Sequence, residues 1–331
     1  MRRMRHVKVA EAIDLTTRVG SLTLPNPIMS ASGTAGHGAE LARYFDLSSI
    51  GAVVVKSLSP SPWAGNPPPR VHETAAGMIN SVGLQGPGIE AWLDHELPAL
   101  ERANARVVAS IWGRTVAEFQ RAAELLADAP ASVIAVEVNV SCPNLEDRSK
   151  MFAHSSSATF DVLAATAGCR RPRWAKLSPN TFELVDIAAA ARAGGAEAVT
   201  LVNTVLGMVI DIDNRRPLLG AARGGLSGRA MHPVAVRSVF DCREAHPDLP
   251  IVGVGGVASA GDAIELIMAG ANAIQIGTAT FADPRAMVRI LDGVREWCRQ
   301  HGLSTLDEIR DVAHMQAQPQ DQAIQSGANH G

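Results

Sequence analysis

Lysine and asparagine residues stand at the ends of four short apolar segments in this chain. Lys56 ends AVVVKS, Asn139 lies in VEVNVSCPN, Lys176 lies in WAKLSPN, and Asn203 with Thr204 lies in TLVNT. Amide side chains donate and accept hydrogen bonds, and lysines supply positive charge. One lysine at the end of a buried strand can simply extend into solvent. The repetition at four segment ends, however, predicts a binding or catalytic site.

Glycine-rich turns follow two further apolar segments. Gly255 and Gly256 close the run IVGVGG, and Gly277 with Thr278 follows AIQI. GGLSG, which ends at Gly228, is a third element of this kind. Glycine-rich loops at strand ends often bind phosphate through backbone N–H groups, although each alone is also typical of a plain tight turn. Two such turns after neighbouring strands predict a phosphate site, over which GGLSG could close.

A single cysteine, Cys142, lies three residues beyond Asn139 in SCPN. A lone cysteine is often an inert, buried apolar residue. A cysteine just past a strand end and beside a proline also suits a nucleophile or a base. The residues alone leave both interpretations open. Cys169, Cys242 and Cys298 lie in helical patterns and are predicted to be structural, and neither the cysteines nor the histidines have a metal-ligand spacing.

Short apolar runs rich in β-branched residues alternate with helical patterns along the chain. The runs span residues 26–32, 52–57, 107–111, 134–140, 174–177, 198–202, 251–254 and 273–276. The helical patterns span residues 88–103, 115–126, 157–167, 181–193, 232–245, 261–269 and 284–300. Eight such units predict an α/β fold, the (β/α)8 TIM barrel, with a doubly wound parallel sheet as the alternative. Inserts at residues 59–80 and 206–228 are expected at the C-terminal face, where barrel active sites lie.

The composition excludes several classes of protein. Of 331 residues, 47% are hydrophobic and 19% charged, which is enough to bury a large core. The formal net charge is −3 and aromatic residues make up 4%, which argues against a nucleic-acid partner. No apolar run is long enough to span a membrane, and no secretory signal follows the basic N-terminus. We therefore expect a cytoplasmic protein without a membrane partner, whose polar residues 316–331 form a disordered tail.

Taken in order, these motifs resemble those of class 1 dihydroorotate dehydrogenases. The similarity covers roughly residues 14–300, in NPIMSASG, VVVKS, NSVGLQGPG, EVNVSCPN, AKLSPN, LVNTVLGMVID, GGLSG, VGVGGV and IGTATFADP. The cysteine of SCPN separates class 1 from the membrane-associated class 2, and NTVLGMVID before GGLSG favours the B type, the FMN-bearing catalytic subunit of the NAD-linked enzyme. The resemblance implies one FMN-binding barrel domain over residues 1–315 and oxidation of dihydroorotate to orotate in UMP biosynthesis.

The resemblance also implies a role for each matching residue. Cys142 would be the catalytic base that removes the C5 proton while the C6 hydride passes to flavin N5, and Lys176 would stabilise negative charge at the flavin N1–O2 edge. The substrate-binding residues would be Lys56, Asn80, Ser81, Val82, Gly83, Leu84, Asn139, Asn203 and Thr204. The FMN-binding residues would be Ser32, Lys56, Ser57, Ser110, Asn139, Lys176, Val202 and Gly228, with Gly255, Gly256, Gly277 and Thr278 at the phosphate.

The resemblance further implies a homodimer and an electron-transfer partner subunit carrying FAD and an iron–sulfur cluster. Other functions remain open at this point. A related flavin barrel could act on another dihydropyrimidine, and an FMN-binding relic would turn over only weakly. A barrel without flavin could use Lys56 or Lys176 as the Schiff-base lysine of an aldolase.

Three departures from the family pattern bear on the site. Gly86 stands where the family has asparagine in GLQNPG, and Ser110 stands where it has an asparagine near the flavin. Ser110 is shorter than asparagine and would leave that contact to water. Residues 145–154 read LEDRSKMFAH, whereas the B type has a glycine pair after SCPN. This last segment would carry the base and move as a lid, so its different composition affects the expected substrate preference and lid motion more than the expected flavin binding.

Overall fold

The structure, a computed structural model, describes residues 13–142 and 151–315. Its strands are β1 (Thr17–Val19), β2 (Leu22–Leu24), β3 (Ile28–Ser30), β4 (Val53–Val54), β5 (Val71–Thr74), β6 (Gly77–Asn80), β7 (Val107–Ile111), β8 (Val133–Asn139), β9 (Arg173–Lys176), β10 (Ala198–Leu201), β11 (Val205–Met208), β12 (Ile210–Asp211), β13 (Arg216–Pro217), β14 (Arg223–Ser227), β15 (Ile251–Val254) and β16 (Ala273–Ile276). Its α-helices are α1 (Ile89–Ala91), α2 (Leu97–Arg102), α3 (Val116–Leu125), α4 (Ser156–Ala165), α5 (Leu184–Ala193), α6 (His232–Ala245), α7 (Ala260–Met268), α8 (Ala279–Ala282), α9 (Ala286–Gln300) and α10 (Val312–Met315).

Eight parallel strands form the central barrel, in the order β3-β16-β15-β10-β9-β8-β7-β4. The two ends of this order meet, because Met29 forms a parallel bridge with Ala52 and the Ser30 N–H donates to the Ala52 carbonyl at 3.3 Å. The ring is therefore closed, and the predicted (β/α)8 barrel is confirmed. A doubly wound sheet would have left two open edges. Each of the eight apolar runs named above coincides with one barrel strand to within a few residues; β8 and β9 begin one residue before their runs.

The helices surround the barrel and begin at recognisable caps. The Thr115 hydroxyl accepts the Glu118 N–H at 3.2 Å at the start of α3. At the start of α7, Ser259 and Asp262 form a reciprocal capping box. The helical pattern predicted over residues 88–103 is divided by a π-helical turn at Trp92–Glu96. Pro98, which follows this turn, has no N–H to continue the regular ladder.

The barrel interior changes from apolar to polar along its axis. Towards the N-terminal end, one layer of inward-facing side chains is apolar: Met29, Val54, Val108, Ala135, Trp174, Ala198, Val252 and Ala273. Residues two apart on a strand face the same side. Six of the eight next positions along the strands are polar: Lys56, Ser110, Glu137, Lys176, Thr200 and Gln275. The other two are Ala31 and Val254. The β1–β2 hairpin adds Val19 and Leu24 to the apolar layer. The polar layer lies further toward the C-terminal ends of the strands, beneath the open mouth of the barrel.

The two long inserts fold together at that mouth. Residues 59–80 supply β5 and β6, and residues 206–228 supply the whole of β14 and all but the first residue of β11. These four strands pair as one antiparallel sheet in the order β11-β14-β6-β5. The expected position of both inserts at the C-terminal face is confirmed, because both contribute to the cavity described below.

Several sequence-based expectations concern residues that the structure does not describe. The predicted tail at 316–331 and most of the segment 145–154 lie outside the described residues. Within the described residues, no helix is long and apolar enough to cross a membrane. The same residues contain no group of three or more His, Cys, Asp or Glu side chains placed to hold a metal ion.

Candidate active site

A cavity of about 1020 Å³ opens at the C-terminal end of the barrel. Small-molecule sites usually measure about 300–1,000 Å³, so the cavity suits a large ligand or two stacked ones. All but two of the predicted site residues line it: Ser32, Lys56, Ser57, Asn80, Ser81, Val82, Gly83, Leu84, Asn139, Lys176, Val202, Asn203, Thr204, Gly228, Gly255, Gly256, Gly277 and Thr278. Barrel strand ends and the inserted sheet thus bring together residues far apart in the chain.

Cys142 is one of the two exceptions. Its side chain is buried and does not line the cavity. The thiol donates to the Gly113 carbonyl at 3.1 Å and to the Asn139 carbonyl at 3.3 Å. Burial raises the pKa of the Cys142 thiol to about 12, against the smaller opposing effect of the hydrogen bond to Gly113. In this arrangement the thiol is therefore protonated at neutral pH.

Ser110 is the other exception, and it lies one step behind the cavity wall. Its hydroxyl is 2.9 Å from that of Ser57 and 3.4 Å from Glu137 Oε1. Ser57 in turn lies 3.2 Å from the Ser32 hydroxyl. Ser110 thus connects hydroxyls of the cavity wall to a carboxylate in the barrel interior, rather than contacting a ligand itself.

Glu137 is the centre of this interior network, and the sequence analysis missed it. It is fully buried, and its Oε2 accepts from Gln275 Nε2 at 2.6 Å and from the Thr200 hydroxyl at 3.2 Å. Its Oε1 lies 3.7 Å from Lys176 Nζ. An acidic residue in the middle of the apolar run IAVEVNV was the signal that could have identified it, because charged residues are almost never fully buried without a partner.

Lys176 carries the positive charge of this network to the cavity floor. The residue is 5% exposed, and its ammonium lies 3.4 Å from Gln275 Oε1 as well as near Glu137. Burying a charge is costly unless a counter-charge and hydrogen bonds compensate it. Glu137 supplies that counter-charge, so the lysine can present an ammonium to a ligand in the cavity without contact with bulk water.

Lys56 has no such partner. Its ammonium makes no hydrogen bond or ion pair with any described residue, and burial, with a smaller contribution from Arg70, lowers its pKa. An anionic ligand would supply the missing counter-charge. The buried Ser81 hydroxyl, on the opposite wall, is also without a hydrogen-bond partner among the described residues. Buried polar atoms in this state indicate a place for polar ligand atoms.

The asparagines of the cavity wall are held in fixed orientations. Asn139 Nδ2 donates to the Ser57 hydroxyl at 3.2 Å, and its Oδ1 accepts the Ser141 N–H at 3.2 Å. Asn203 Nδ2 donates to Asn139 Oδ1 at 3.4 Å, and Asn203 Oδ1 accepts the Thr204 N–H at 2.8 Å. These contacts assign the amide nitrogen and oxygen of each side chain, so the wall offers a defined pattern of donors and acceptors.

The glycine turns after β15 and β16 form the other end of the cavity. The backbone N–H groups of Gly256, Gly277 and Thr278 donate to no described residue. Gly256 has a φ of +70°, and a Cβ built there would lie 2.7 Å from His232 Cβ and 2.8 Å from His232 N. Only glycine fits this turn. Free N–H groups on a turn that excludes side chains fit an anion such as a phosphate.

The substrate loop predicted over residues 80–84 is tied to its neighbours. The Trp63 indole N–H donates to the Gly83 carbonyl at 3.0 Å, and Trp63 packs edge-on against Trp112.

The departure from the family pattern at Gly86 has a local explanation. A Cβ built there would lie 3.2 Å from His37 Nε2, so the imidazole occupies the space that a larger side chain would need.

Comparisons with known proteins agree with this geometry. A family model for dihydroorotate dehydrogenase matches residues 14–297. The chain is 45% identical over 297 residues to the catalytic subunit of dihydroorotate dehydrogenase B (NAD(+)) from Desulforudis audaxviator, covering 89% of this chain and 96% of that protein. It is 42% identical over 297 residues to the protein of the same name from Alkaliphilus oremlandii, covering 89% and 97%. It is 42% identical over 296 residues to the protein of that name from Trichlorobacter lovleyi, covering 89% of this chain and 97% of that protein.

Proposed function

The chain belongs to the dihydroorotate dehydrogenase family, and from this premise we propose that it oxidises dihydroorotate to orotate in pyrimidine biosynthesis. One observation carries the proposal. A single cavity has an anion cradle of free backbone N–H groups at one end and a ring of lysine and asparagine side chains at the other. This arrangement fits a phosphate-bearing flavin and a planar, anionic pyrimidine side by side.

We propose FMN as the cofactor, since the family is flavin-dependent and the cradle fits one phosphate. Gly255, Gly256, Gly277 and Thr278 would hold the phosphate, whereas Ser32, Ser57, Val202 and Gly228 would line the path to the ring. When bound, FMN supplies the hydride acceptor. The hydroxyls of Ser32, Ser57 and Ser110 form a connected chain along this path. A hydroxyl can donate or accept a hydrogen bond, so the two that line the cavity can bind either a donor or an acceptor atom of the ligand.

Lys176 is proposed to stabilise negative charge at the N1–O2 edge of the ring. The Glu137 carboxylate keeps its ammonium paired inside the barrel, and the surrounding protein excludes water. A fixed charge in such a site requires no reorganisation during the reaction, which is the physical basis of electrostatic catalysis.

Lys56 is proposed to bind the substrate carboxylate. Its ammonium is partly buried and has no partner among the described residues, so an anion would gain an ion pair there. Asn80, Ser81, Asn139, Asn203 and Thr204 line the same region, and their amide and hydroxyl groups would bind the imide edge and the loop-facing edge of the pyrimidine. Val82, Gly83 and Leu84 would cover it through backbone and apolar contacts.

Cys142 is proposed as the base that removes the C5 proton. It follows Asn139, which lines the cavity, by three residues. The thiol now donates to the Gly113 and Asn139 carbonyls, so acting as a base requires it to lose its proton and exchange these acceptors for the substrate. Because burial raises the pKa of this thiol, the thiolate is not present beforehand, and the proton has to leave as part of the reaction.

The electrons are proposed to leave through a partner protein. The relatives are named as catalytic subunits of NAD(+) enzymes, so we propose a partner subunit that carries FAD and an iron–sulfur cluster and that reduces NAD. We also propose that the chain itself forms a homodimer. Light scattering of the purified chain, alone and with the co-expressed subunit, tests both assemblies by mass.

The substrate assignment is tested with two dihydropyrimidines that differ by one carboxylate. The FMN-loaded protein is mixed anaerobically with dihydroorotate or dihydrouracil, and bleaching of the flavin band is followed. We expect bleaching by dihydroorotate alone, and we expect Lys56→Met to lose most of that preference because the carboxylate loses its counter-charge. Faster bleaching by dihydrouracil would instead identify a flavin barrel for another dihydropyrimidine.

A further inference from the structure

His232 is the first residue of α6 and packs beneath the glycine turn after β15. The residue is 9% exposed. Its Nδ1 lies 2.8 Å from the Gly255 carbonyl oxygen, and its Nε2 lies 3.1 Å from Glu265 Oε2 on α7. Both ring nitrogens therefore have a hydrogen-bond partner, one in the backbone of the cradle and one on a neighbouring helix. No role was predicted for this histidine from the sequence.

The bond to Gly255 has a geometric consequence for the anion cradle. In a trans peptide the C=O of one residue and the N–H of the next point in opposite directions. Because the Gly255 carbonyl points to His232, the N–H of Gly256 points away from His232 in the same peptide plane. Gly256 lines the cavity, and its N–H has no acceptor among the described residues. The histidine thus fixes the direction of a donor that it does not itself contact.

The partners of the ring hold it in one orientation. A backbone carbonyl oxygen only accepts hydrogen bonds, so Nδ1 is the donor to Gly255. The charged groups around the ring are Glu265, its direct partner at Nε2, and Asp262, which caps α7. Arg229, one turn earlier in the chain, lines the cavity.

We propose that His232 is a positioning residue for the phosphate cradle, which it orients through the Gly255–Gly256 peptide. This inference rests on the proposed binding of FMN. The backbone and Cβ of His232 also pack against Gly256, because a Cβ at Gly256 would lie 2.7 Å from His232 Cβ and 2.8 Å from His232 N. The hydrogen bond and the packing thus act on the same peptide group.

The test compares binding of FMN with binding of riboflavin, which has the same ring and no phosphate. The apoprotein is titrated with each flavin, and the quenching of flavin fluorescence gives the ratio of the two dissociation constants. His232→Leu removes the donor to Gly255 and should lower the preference for FMN about 10- to 100-fold, the value of a charge-assisted hydrogen bond. Riboflavin binding should stay nearly unchanged.

Two further variants separate positioning from simple packing. His232→Asn places an amide N–H close to the position of Nδ1, so it should restore most of the FMN preference that leucine loses. Glu265→Gln keeps an acceptor for Nε2 and should change the preference about threefold or less. Thermal unfolding of each apoprotein shows whether the fold is kept.

Three results would overturn the inference. The first is an unchanged FMN preference in His232→Leu, the second is an equal loss of FMN and riboflavin binding, and the third is no recovery in His232→Asn. A wild-type protein that binds neither flavin would instead refute the proposed cofactor. The two failures are therefore distinguishable in one set of titrations.

Discussion

The two ends of the cavity are built in different ways. At the anion end, backbone N–H groups of the turns after β15 and β16 face the cavity, and the decisive residues are glycines. At the reaction end, side chains in or just after β4, β8, β9 and β10 converge, and Asn139, Lys176 and Asn203 are each oriented by another side chain. The first end depends on the path of the backbone, and the second depends on a hydrogen-bonded network.

This difference predicts different responses to mutation. A backbone cradle is insensitive to many side-chain changes but fails when a Cβ is added. A side-chain network tolerates small changes in backbone but fails when one charged or titrating group is replaced. Variants at the anion end should therefore change how tightly flavin is held, and variants at the reaction end should change how fast it is reduced.

The largest effect is expected at the reaction end, for Cys142→Ala. The flavin should remain bound, while its reduction by dihydroorotate should slow about 10²- to 10⁴-fold, the usual contribution of a general base. Stopped-flow absorbance at neutral pH measures this rate. Cys242→Ala is the matched control, because Cys242 is also buried with a pKa raised to about 12 but lies in α6 rather than next to the cavity-lining segment that ends at Asn139. A full rate in Cys142→Ala would remove the cysteine from the chemistry.

The pH dependence of the same rate is the next largest expected effect. Because burial raises the pKa of Cys142 to about 12, the reactive thiolate fraction should increase about tenfold for each pH unit over the accessible range. The rate of flavin reduction should rise from pH 6 to pH 9 without a plateau, and Cys142→Ala should lack this rise. A wild-type plateau below about pH 8 would show that the substrate complex places the thiol in another environment.

Gly256→Ala tests the anion end. The new Cβ would lie 2.7 Å from His232 Cβ and 2.9 Å from the Gly228 carbonyl oxygen, at a φ of +70°. Overpacking of this kind costs about 1–3 kcal/mol, so FMN should bind about 5- to 150-fold more weakly. Flavin bound after dialysis provides the measurement. Gly261→Ala, in α7 with no atom closer than 3.6 Å to the new Cβ, should retain the flavin. Equal retention by both variants would contradict the backbone cradle.

Glu137→Gln has the smallest expected effect on rate. The substitution keeps the shape of the network and removes the carboxylate that pairs with Lys176. We expect flavin reduction to slow about tenfold, because the ammonium is no longer held by an ion pair in the place where it stabilises negative charge. Glu296→Gln, whose carboxylate pairs with Arg299 in α9 and does not line the cavity, is the control. An unchanged rate in Glu137→Gln would assign the pair a purely structural role.

The sequence predicts the barrel well because its strands carry a strong local pattern. The eight apolar runs correspond to the eight barrel strands, and Ser259 and Asp262 form a capping box, which is itself a local sequence signal, at the start of α7. The glycine turns after β15 and β16 were also visible, since a turn that excludes side chains leaves its mark in the local sequence. The helix expected from residue 181 begins at Leu184, because Pro179 and the turn after it delay the start.

Three features of the site could not be predicted from local patterns. The interior position of Glu137 depends on Lys176, Thr200 and Gln275, which lie on three other strands. The contact between His232 and Gly255 joins a helix to a later turn. The orientation of Cys142 depends on the Gly113 carbonyl, which follows β7. Each is a tertiary contact between distant segments, and no single segment carries the information.

An anaerobic visible spectrum of the purified chain, before and after addition of dihydroorotate, tests the central claim most directly. The account predicts oxidised flavin bands at the start, complete bleaching on addition and one orotate formed per flavin. Flavin bands that persist with excess dihydroorotate would contradict the proposed reaction. A protein that shows no flavin band even after incubation with FMN would contradict the proposed cofactor and the assignment of the glycine turns as its phosphate cradle.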